Sequence, residues 1–364
     1  MSDQNTFKSK VRAHENALSI LDYLCRRFAY HSRDKWIENI EHGEVRINDE
    51  KANVEDSLRV GDMVSYVTKR RAEPKVPKKI PILFEDEDLL IVDKPAHIPV
   101  HPGGKYLNNT LVEVLRAQKK YELLVLAHRL DRETSGCCVL TKTHMAKEKM
   151  YWAFFNGEVK KTYWALAWGT PPKNNDTIDI PIGQATSEGQ SPKSRIRIKQ
   201  IAHGYQSKNA RTHYQLIDTF WTGDESWAPP EWPGIERARL SLREDKSSQW
   251  PVSLIECHPI TGRTNQIRVH LAEIGCGILG DKLYDISEDI FLKMTEQKPV
   301  LQGSKKAAGP ALNSDLRKRM ILDSQALHAR NLEFRHPKTQ KMIKIYAPIP
   351  QNWVKAVPEL EKHI

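Results

Sequence analysis

A short polar segment between two apolar runs contains the residues best suited to chemistry. The segment AHRLDRETSG spans residues 127–136 and places the carboxylate of Asp131 just ahead of a turn-forming E-T-S-G. Apolar runs flank it, LLVLA at 123–127 and CCVLT at 137–141, so Asp131 falls on a connection between two predicted buried strands. An ionised carboxylate held there can act as a nucleophile and form a covalent adduct. A turn-forming or capping aspartate is the alternative, because its oxygens accept hydrogen bonds from nearby backbone N–H groups.

Two further segments follow this one along the chain. KKTYWALAWG spans residues 160–169 and HPITGRTNQIRVHL spans residues 258–271. Together the three segments resemble, in composition and order, the motifs of the RluA-type pseudouridine synthases, enzymes that convert uridine in folded RNA to its C-glycoside isomer. FEDEDLLIVDKP at 84–95 and ALHARNLEFRHP at 326–337 also resemble family segments. The resemblance therefore extends over most of the chain beyond its first 80 residues.

The resemblance implies a set of three catalytic residues. Asp131 matches the family's nucleophile, Arg268 matches the arginine that pairs with it, and Tyr163 matches the active-site tyrosine. Pairing with Arg268 would keep a buried Asp131 ionised by opposing the cost of desolvation. Tyr163 offers a ring for stacking on uracil and a phenolic oxygen for proton transfer near C5. The helical repeat of Ile267 and Leu271 predicts that Arg268 lies at the edge of the core. A surface arginine and a structural tyrosine are the alternatives.

Four more residues are predicted to bind the substrate. Arg129 resembles the arginine that enters the RNA stack when the target base is extruded, with phosphate binding as its alternative role. Arg263 and Gln266 match polar positions of the third segment, and we expect them to contact the RNA backbone or to orient the aspartate. Leu327 resembles the apolar wall of the base pocket. Asn265 departs from the family, which commonly has histidine there, and we expect it to preserve a hydrogen bond.

Composition limits the class of protein. The 364 residues suffice for two domains, and 28% are charged against 39% hydrophobic. No apolar run approaches the roughly 20 residues of a membrane span, so we expect no membrane partner. The five cysteines include no C-x-x-C pair, and the N terminus lacks the apolar core of a secretory signal. We therefore expect a cytoplasmic protein, and we expect it to be a monomer.

The sequence gives no support to a cofactor or a metal. It contains no G-x-G-x-x-G, no phosphate-binding P-loop and no H-E-x-x-H segment, and uridine isomerisation requires neither oxidation nor a metal. We therefore expect no nucleotide cofactor, no other cofactor and no metal. A metal site built from His128 and Asp131 with either His258 or Cys257 is the weaker alternative.

Positive charge is concentrated beyond the first 68 residues. The formal net charge is +10, from 56 Lys and Arg against 46 Asp and Glu. Residues 1–68 contain 10 Lys and Arg against 12 Asp and Glu, so residues 69–364 have a net charge of +12. We expect an anionic partner, structured RNA, to bind mainly to the larger domain.

The chain is predicted to consist of two domains and a linker. Residues 1–68 follow the order helix, helix, G-x-V-x-I-N strand, G-D strand, which resembles a small S4-like α/β RNA-binding domain; an ordinary α/β capping domain is the alternative. Residues 69–81 contain three prolines and six Lys or Arg and indicate an extended linker. Residues 82–364 predict an α+β fold with a mostly antiparallel mixed sheet, which is the pseudouridine synthase fold by resemblance. Residues 221–250 and 286–324 are predicted insertions.

A group of basic side chains surrounds the predicted turn between the two N-terminal helices. The group is Arg26, Arg27, Arg33 and Lys35. We expect these side chains to contact RNA phosphates, although a solvated surface is the alternative.

The predicted function is isomerisation of specific uridines in structured RNA. An S4-like domain ahead of an RluA-like core resembles enzymes that act on large-subunit ribosomal RNA, so ribosomal RNA is the expected substrate and transfer RNA the alternative. A non-catalytic RNA-binding or ribosome-assembly protein on the same fold is the alternative from another class. The combination of Asp131, Tyr163 and Arg268 favours the enzyme, because a binding module would not need all three.

Overall fold

The computed structural model contains two compact units, residues 1–73 and 74–364, and each has its own hydrophobic core. The structure describes residues 4–28, 31–69, 73–103, 106–119, 121–185, 199–221, 250–284 and 321–364. The two predicted insertions, 221–250 and 286–324, lie almost wholly outside these described residues.

The N-terminal unit combines an antiparallel sheet with two helices. Its elements are β1 (Gln4–Lys10), α1 (Ile20–Arg27), α2 (Arg33–Glu41), β2 (Val45–Ile47), β3 (Glu50–Lys51) and β4 (Met63–Lys69). The strands pair in the order β1-β4-β2-β3. The hydroxyl of Ser32 accepts a hydrogen bond from the N–H of Lys35 at 3.3 Å, which caps the N-terminal end of α2. Gly43, with φ +70°, follows α2 and allows the chain to turn into β2.

The second unit is built on one large sheet. Its strands are β5 (Ile82–Glu85), β6 (Leu89–Lys94), β7 (Val125–Leu126), β8 (Ser135–Thr141), β9 (Lys160–Trp168), β10 (Asn175–Asp179), β14 (Arg211–Trp221), β15 (Pro251–Pro259), β16 (Leu327–Arg335) and β17 (Met342–Tyr346). They pair in the order β10-β14-β15-β9-β16-β8-β6-β5, with β17 on β16 and β7 on β8. Among the described strands the pairing of β16 with β8 is parallel and the others are antiparallel. The predicted α+β fold with a mostly antiparallel mixed sheet is confirmed.

Among the described residues, this unit also contains a small second sheet, four α-helices and a 3₁₀ helix at Pro358–His363. The sheet consists of β11 (Ile182–Gln184), β12 (Gln200–Ala202) and β13 (Tyr205–Lys208), and the helices are α3 (Leu111–Gln118), α4 (His144–Phe155), α5 (Gln266–Glu273) and α6 (Gln351–Ala356). The hydroxyls of Thr110 and Thr143 accept hydrogen bonds from the third residue of α3 and α4 at 3.3 and 3.2 Å. These threonines therefore cap the N-terminal ends of the two helices.

Helix α5 is buried more completely than its sequence pattern predicts. Every residue from Gln266 to Leu271 is buried, because α5 contacts β12, β14 and β15. The side chain of Arg268 is only 8% exposed. The predicted position at the edge of the core therefore underestimated the burial of this arginine.

The glycine of the E-T-S-G segment is required by strand packing. Gly136 has φ +104°, and a Cβ atom there would lie 2.3 Å from the carbonyl oxygen of Ala329 on β16. Any side chain would push apart β8 and β16, the parallel pair at the centre of the sheet. Gly136 thus fixes the start of β8, five residues after Asp131.

Within the described part of the chain, no helix is both long enough and apolar enough to cross a membrane.

Candidate active site

Asp131 lies in the loop that joins the paired strands β7 and β8. Two side chains hold this loop. His128 accepts a hydrogen bond at Nε2 from the backbone N–H of Val139 at 3.1 Å, and its ring stacks on Phe154 at 4.6 Å. Burial lowers the pKa of His128 to about 4, so the ring is neutral near pH 7 and can accept that bond. The histidine of the motif therefore positions the loop.

Lys94 holds the same loop from the other side, a function that the sequence analysis did not anticipate. Its ammonium is fully buried and donates hydrogen bonds to the carbonyls of Pro95, Ile98 and Arg132, at 2.9, 2.9 and 3.1 Å. Three acceptors match the three N–H donors of an ammonium group. Burial lowers the pKa of Lys94 to about 7, and the negative charge of Asp131 acts in the opposite direction. The only sequence signal was a lysine placed at the end of an apolar strand.

Arg268 joins the nucleophile candidate to a second carboxylate. Its Nη1 donates to Oδ2 of Asp131 at 3.0 Å, while Nε and Nη2 donate to the two oxygens of Asp281 at 2.6 and 2.8 Å. Asp281 has no exposed side-chain surface, whereas the side chain of Asp131 is 29% exposed. Burial alone would lower the pKa of Arg268. The negative charges of Asp281 and Asp131 outweigh this effect and raise the pKa. The arginine is therefore a fixed cation whose outer end faces Asp131.

Two further side chains orient Arg268. Oδ1 of Asn265 accepts a hydrogen bond from Nη1 at 2.8 Å, so the residue that departs from the family pattern does keep a hydrogen bond, as expected. The guanidinium lies 5.1 Å from the ring centre of Tyr284, a cation–π contact. Neither Asp281 nor Tyr284 was identified from the sequence, because the segment G-D-K-L-Y reads as an ordinary turn. These contacts leave Arg268 little freedom to rotate.

Tyr163 lies on β9 beside the same loop. It is 9% exposed and lines the cleft that contains Asp131. Burial raises the pKa of its phenol, and the charge of Asp131 raises it further. The hydroxyl is therefore protonated across the physiological pH range. Its neighbour Trp164 lies on the opposite face of β9, because side chains alternate along a strand. The indole N–H of Trp164 donates a hydrogen bond to Glu256 at 3.0 Å.

All seven residues predicted to be catalytic or substrate-binding line one cleft of about 680 Å³. This volume suits a small ligand such as a nucleoside. The residues are Asp131, Tyr163, Arg268, Arg129, Arg263, Gln266 and Leu327. Lys161, which sequence reasoning did not select, also lines it. The lining thus contains four Lys or Arg and one carboxylate, that of Asp131. This excess of positive charge favours the binding of an anionic ligand.

The predicted substrate-binding residues differ in how freely they can reach a ligand. Arg129 and Arg263 are exposed, although Nε of Arg263 donates to the carbonyl of Asn209 at 3.0 Å. The amide of Gln266 is buried and bonds four protein groups, including the N–H of Arg263 at 3.0 Å. This geometry favours a structural role for Gln266, holding the loop that carries Arg263. Leu327 is 4% exposed at the start of β16.

The four basic residues predicted to contact RNA in the N-terminal unit are mostly paired with carboxylates. Arg27 bonds Glu15 at 2.7 Å, Arg33 bonds Asp22 at 2.9 Å and Lys35 bonds Glu38 at 2.6 Å, whereas Arg26 is exposed near the end of α1. These ion pairs reduce the positive charge that the group offers to phosphate. Among the described residues of the whole chain, no three His, Cys, Asp or Glu side chains are grouped so that they could hold a metal ion.

Comparisons with known proteins identify the family of the chain. A sequence model of the family described as RNA pseudouridylate synthase matches residues 88–273. A ribosomal large subunit pseudouridine synthase D from Xanthomonas campestris is 31% identical over 336 residues, which cover 90% of this chain and 85% of that protein. The mitochondrial tRNA pseudouridine(32) synthase of Saccharomyces cerevisiae is 26% identical over 285 residues, which cover 78% of this chain and 54% of that protein.

The fold has a counterpart among solved structures. Human RNA pseudouridylate synthase domain containing 4 aligns with a TM-score of 0.50 at 24% sequence identity, over 77% of this chain and 93% of that chain. The chain belongs to the RNA pseudouridylate synthase family, as its RluA-type motifs predicted. It is an RNA uridine isomerase.

Proposed function

We propose that this enzyme isomerises a specific uridine of large-subunit ribosomal RNA, and that Asp131 starts the reaction. One observation carries the assignment of Asp131. Its Oδ2 lies 3.0 Å from Nη1 of Arg268, inside a cleft lined by three further Lys or Arg side chains. The cations attract the phosphates that flank the target uridine, and the guanidinium of Arg268 holds the carboxylate in place.

An ionised Asp131 satisfies the first requirement of the isomerisation. The carboxylate either attacks C1′ of the ribose or removes the C2′ proton to give a glycal, and in both cases the bond from C1′ to N1 breaks. The detached uracil turns within the cleft, and C5 then bonds to C1′ while the bond from C1′ to Asp131 breaks or, in the glycal route, while Asp131 returns the proton to C2′. The proton on C5 leaves and N1 gains a proton, so that the product is an isomer of the substrate. Arg129 fills the space that the flipped nucleotide vacates in the RNA, and Leu327 packs against the base.

Tyr163 has two roles in this proposal. Its ring stacks on the detached uracil, and its hydroxyl passes a proton near C5. The raised pKa keeps the phenol of Tyr163 protonated. The hydroxyl can therefore accept one proton and release its own proton at the same time, so that it stays neutral. The activity therefore does not follow a titration of Tyr163 near neutral pH.

Tyr163→Phe separates these two roles. The ring remains, so we expect KM for RNA to stay within about threefold. Loss of the hydroxyl removes proton transfer, so we expect kcat to fall about 100-fold. Release of tritium from RNA labelled at C5 of uridine measures both constants. A variant with wild-type kcat and unchanged KM would leave Tyr163 with the stacking role alone.

The choice of ribosomal RNA is supported by the relatives. The ribosomal large subunit enzyme matches along 85% of its own length, whereas the tRNA enzyme matches along 54%. Mapping of pseudouridine in total RNA from cells with and without the gene tests this choice. We expect one or more pseudouridines to be lost from large-subunit ribosomal RNA. A loss confined to tRNA would instead assign tRNA as the substrate.

We also propose that residues 1–68 form an S4-like RNA-binding domain that selects the RNA. The order of two helices followed by the β2–β3 hairpin and β4 supports this proposal, as does the exposed Arg26. The enzyme would work in the cytoplasm, as a monomer and without a cofactor.

Removal of residues 1–68 tests this domain. All proposed catalytic residues lie in the second unit, which has its own core, so turnover of a minimal stem-loop should persist. On intact ribosomal RNA we expect kcat/KM to fall about tenfold or more, because one of two linked binding modules is lost. A folded truncated protein that treats both RNAs as the full chain does would disprove the S4-like assignment.

A further inference from the structure

Three large aromatic side chains project into solvent from the last turn of α4. Tyr151, Trp152 and Phe155 are 56%, 50% and 70% exposed. Their ring centres lie 5.3 to 6.0 Å apart. We call this group the aromatic platform. A soluble protein gains nothing in stability by leaving so much apolar surface in contact with water, and clustered surface of this kind commonly marks a binding site.

The aromatic platform is not needed to anchor its helix. The buried residues of α4 are Ala146 and Met150, and Phe154 stacks on His128 of the Asp131 loop. These contacts attach α4 to the second unit on its other side. The three exposed rings are therefore available to a partner.

The position of the platform points to the kind of partner. Tyr151 and Phe155 line the same cleft as Asp131, together with the cations Arg129, Lys161 and Arg263. Ile260, 57% exposed, also lines this cleft. Aromatic rings beside a row of cations match unpaired nucleotides, whose bases offer flat apolar faces and whose phosphates are negative. An apolar protein partner or a second copy of this chain would match the rings but not the cations.

We propose that Tyr151, Trp152 and Phe155 stack on unpaired nucleotides next to the target uridine. This inference rests on the proposed function, because it takes the uridine at Asp131 as its reference point. It adds a requirement on the substrate: the target must lie in a loop or single-stranded stretch long enough to place at least one neighbouring base on the platform. Fully paired RNA offers only the edges of its bases and does not meet this requirement.

A binding experiment with defined RNAs tests the platform. The full chain carrying Tyr151→Ala, Trp152→Ala and Phe155→Ala together is compared with the wild type. Fluorescence anisotropy measures affinity for a short single-stranded oligouridylate and for an RNA duplex of equal length. We expect the triple variant to bind the single strand about 10- to 100-fold more weakly, and to bind the duplex as the wild type does. Trp152→Phe, which keeps a ring, should bind nearly as the wild type.

Tyr346→Ala is the matched control. Tyr346 is also 56% exposed, but it lies on β17 and is absent from the lining of the cleft. This variant should bind both RNAs as the wild type does. Thermal melting checks that the triple variant is folded, and its melting temperature should be close to that of the wild type because the replaced side chains are at least half exposed.

Turnover separates the failure of this inference from the failure of the proposed function. With total RNA from cells that lack the gene, labelled with tritium at C5 of uridine, the triple variant should show a raised KM and nearly the wild-type kcat at saturating RNA. If the wild type releases tritium and the triple variant has unchanged KM and unchanged affinity for the oligouridylate, the platform assignment is wrong while the function stands. If the wild type releases no tritium from any RNA, the proposed function fails, and the binding comparison still decides whether the platform contacts single-stranded RNA.

Other occupants of the platform would give different results. A dimer of the wild type that becomes a monomer in the triple variant, with RNA affinity unchanged, would assign the platform to a second copy. Loss of binding to anionic lipid vesicles without loss of RNA affinity would assign it to a membrane surface. Either result overturns the proposal.

Discussion

Asp131→Asn is expected to abolish uridine isomerisation while leaving RNA affinity within a few-fold of the wild type. The amide keeps the shape of the side chain and can still accept the hydrogen bond from Arg268. It lacks the negative charge that both possible first steps require. We expect a loss of kcat of about 1000-fold or more. Affinity should persist because phosphate contacts dominate RNA binding, and the cations of the cleft are unchanged.

The measurement combines tritium release with a direct binding assay at fixed salt. Asp179→Asn is a suitable control, because Asp179 is an exposed carboxylate on β10 that pairs with Arg211. It should isomerise RNA as the wild type does. Turnover by Asp131→Asn at more than a small fraction of the wild-type rate would remove Asp131 from the reaction.

Arg268→Ala is expected to reduce both activity and stability. The change leaves Asp281 buried without its bidentate partner, and breaking a buried pair in this way costs about 3 to 5 kcal/mol of unfolding free energy. For a unit of this size the melting temperature should fall by roughly 6 to 20 °C. The carboxylate of Asp131 also loses its cation, so kcat should fall steeply in the fraction that remains folded.

A double variant separates the two effects. In Arg268→Leu combined with Asp281→Asn the buried unpaired charge is absent, so much of the lost stability should return while activity stays low. Differential scanning calorimetry and tritium release give the two readouts. A folded Arg268 variant with wild-type kcat and a salt-sensitive rise in KM would instead assign Arg268 to RNA binding alone.

The local sequence, read through the family resemblance, identified seven of the residues that line the cleft. Asp131, Tyr163 and Arg268 were selected from three short segments, and all three line one cleft. A helix cap depends on the same kind of local contact, since the side chain of Ser32 accepts a hydrogen bond from the backbone N–H of Lys35, three residues along the chain. Such features depend on contacts within about one turn of a helix or on the identity of a single motif, so the sequence contains them directly.

The partners of those residues could not be read in the same way. Arg268 and Asp131 are 137 residues apart in the chain, and without the family resemblance nothing in their spacing would pair them. Asp281 and Lys94 escaped notice because their segments resemble an ordinary turn and an ordinary strand end. A buried ammonium or carboxylate is recognisable only when its acceptors or donors are in place, and the folding of distant strands places them.

Burial was also decided by the tertiary structure. The repeat of Ile267 and Leu271 predicted one apolar face for α5, but strands on several sides cover the helix and enclose Arg268. In α4 the opposite holds, because the apolar letters of Tyr151, Trp152 and Phe155 suggest a core while the fold leaves the three rings exposed. The sequence by itself predicted which side chains do the chemistry of a uridine isomerase. Only the tertiary structure decided which of them are charged, paired or exposed, because those properties depend on neighbours that the chain brings together from far apart.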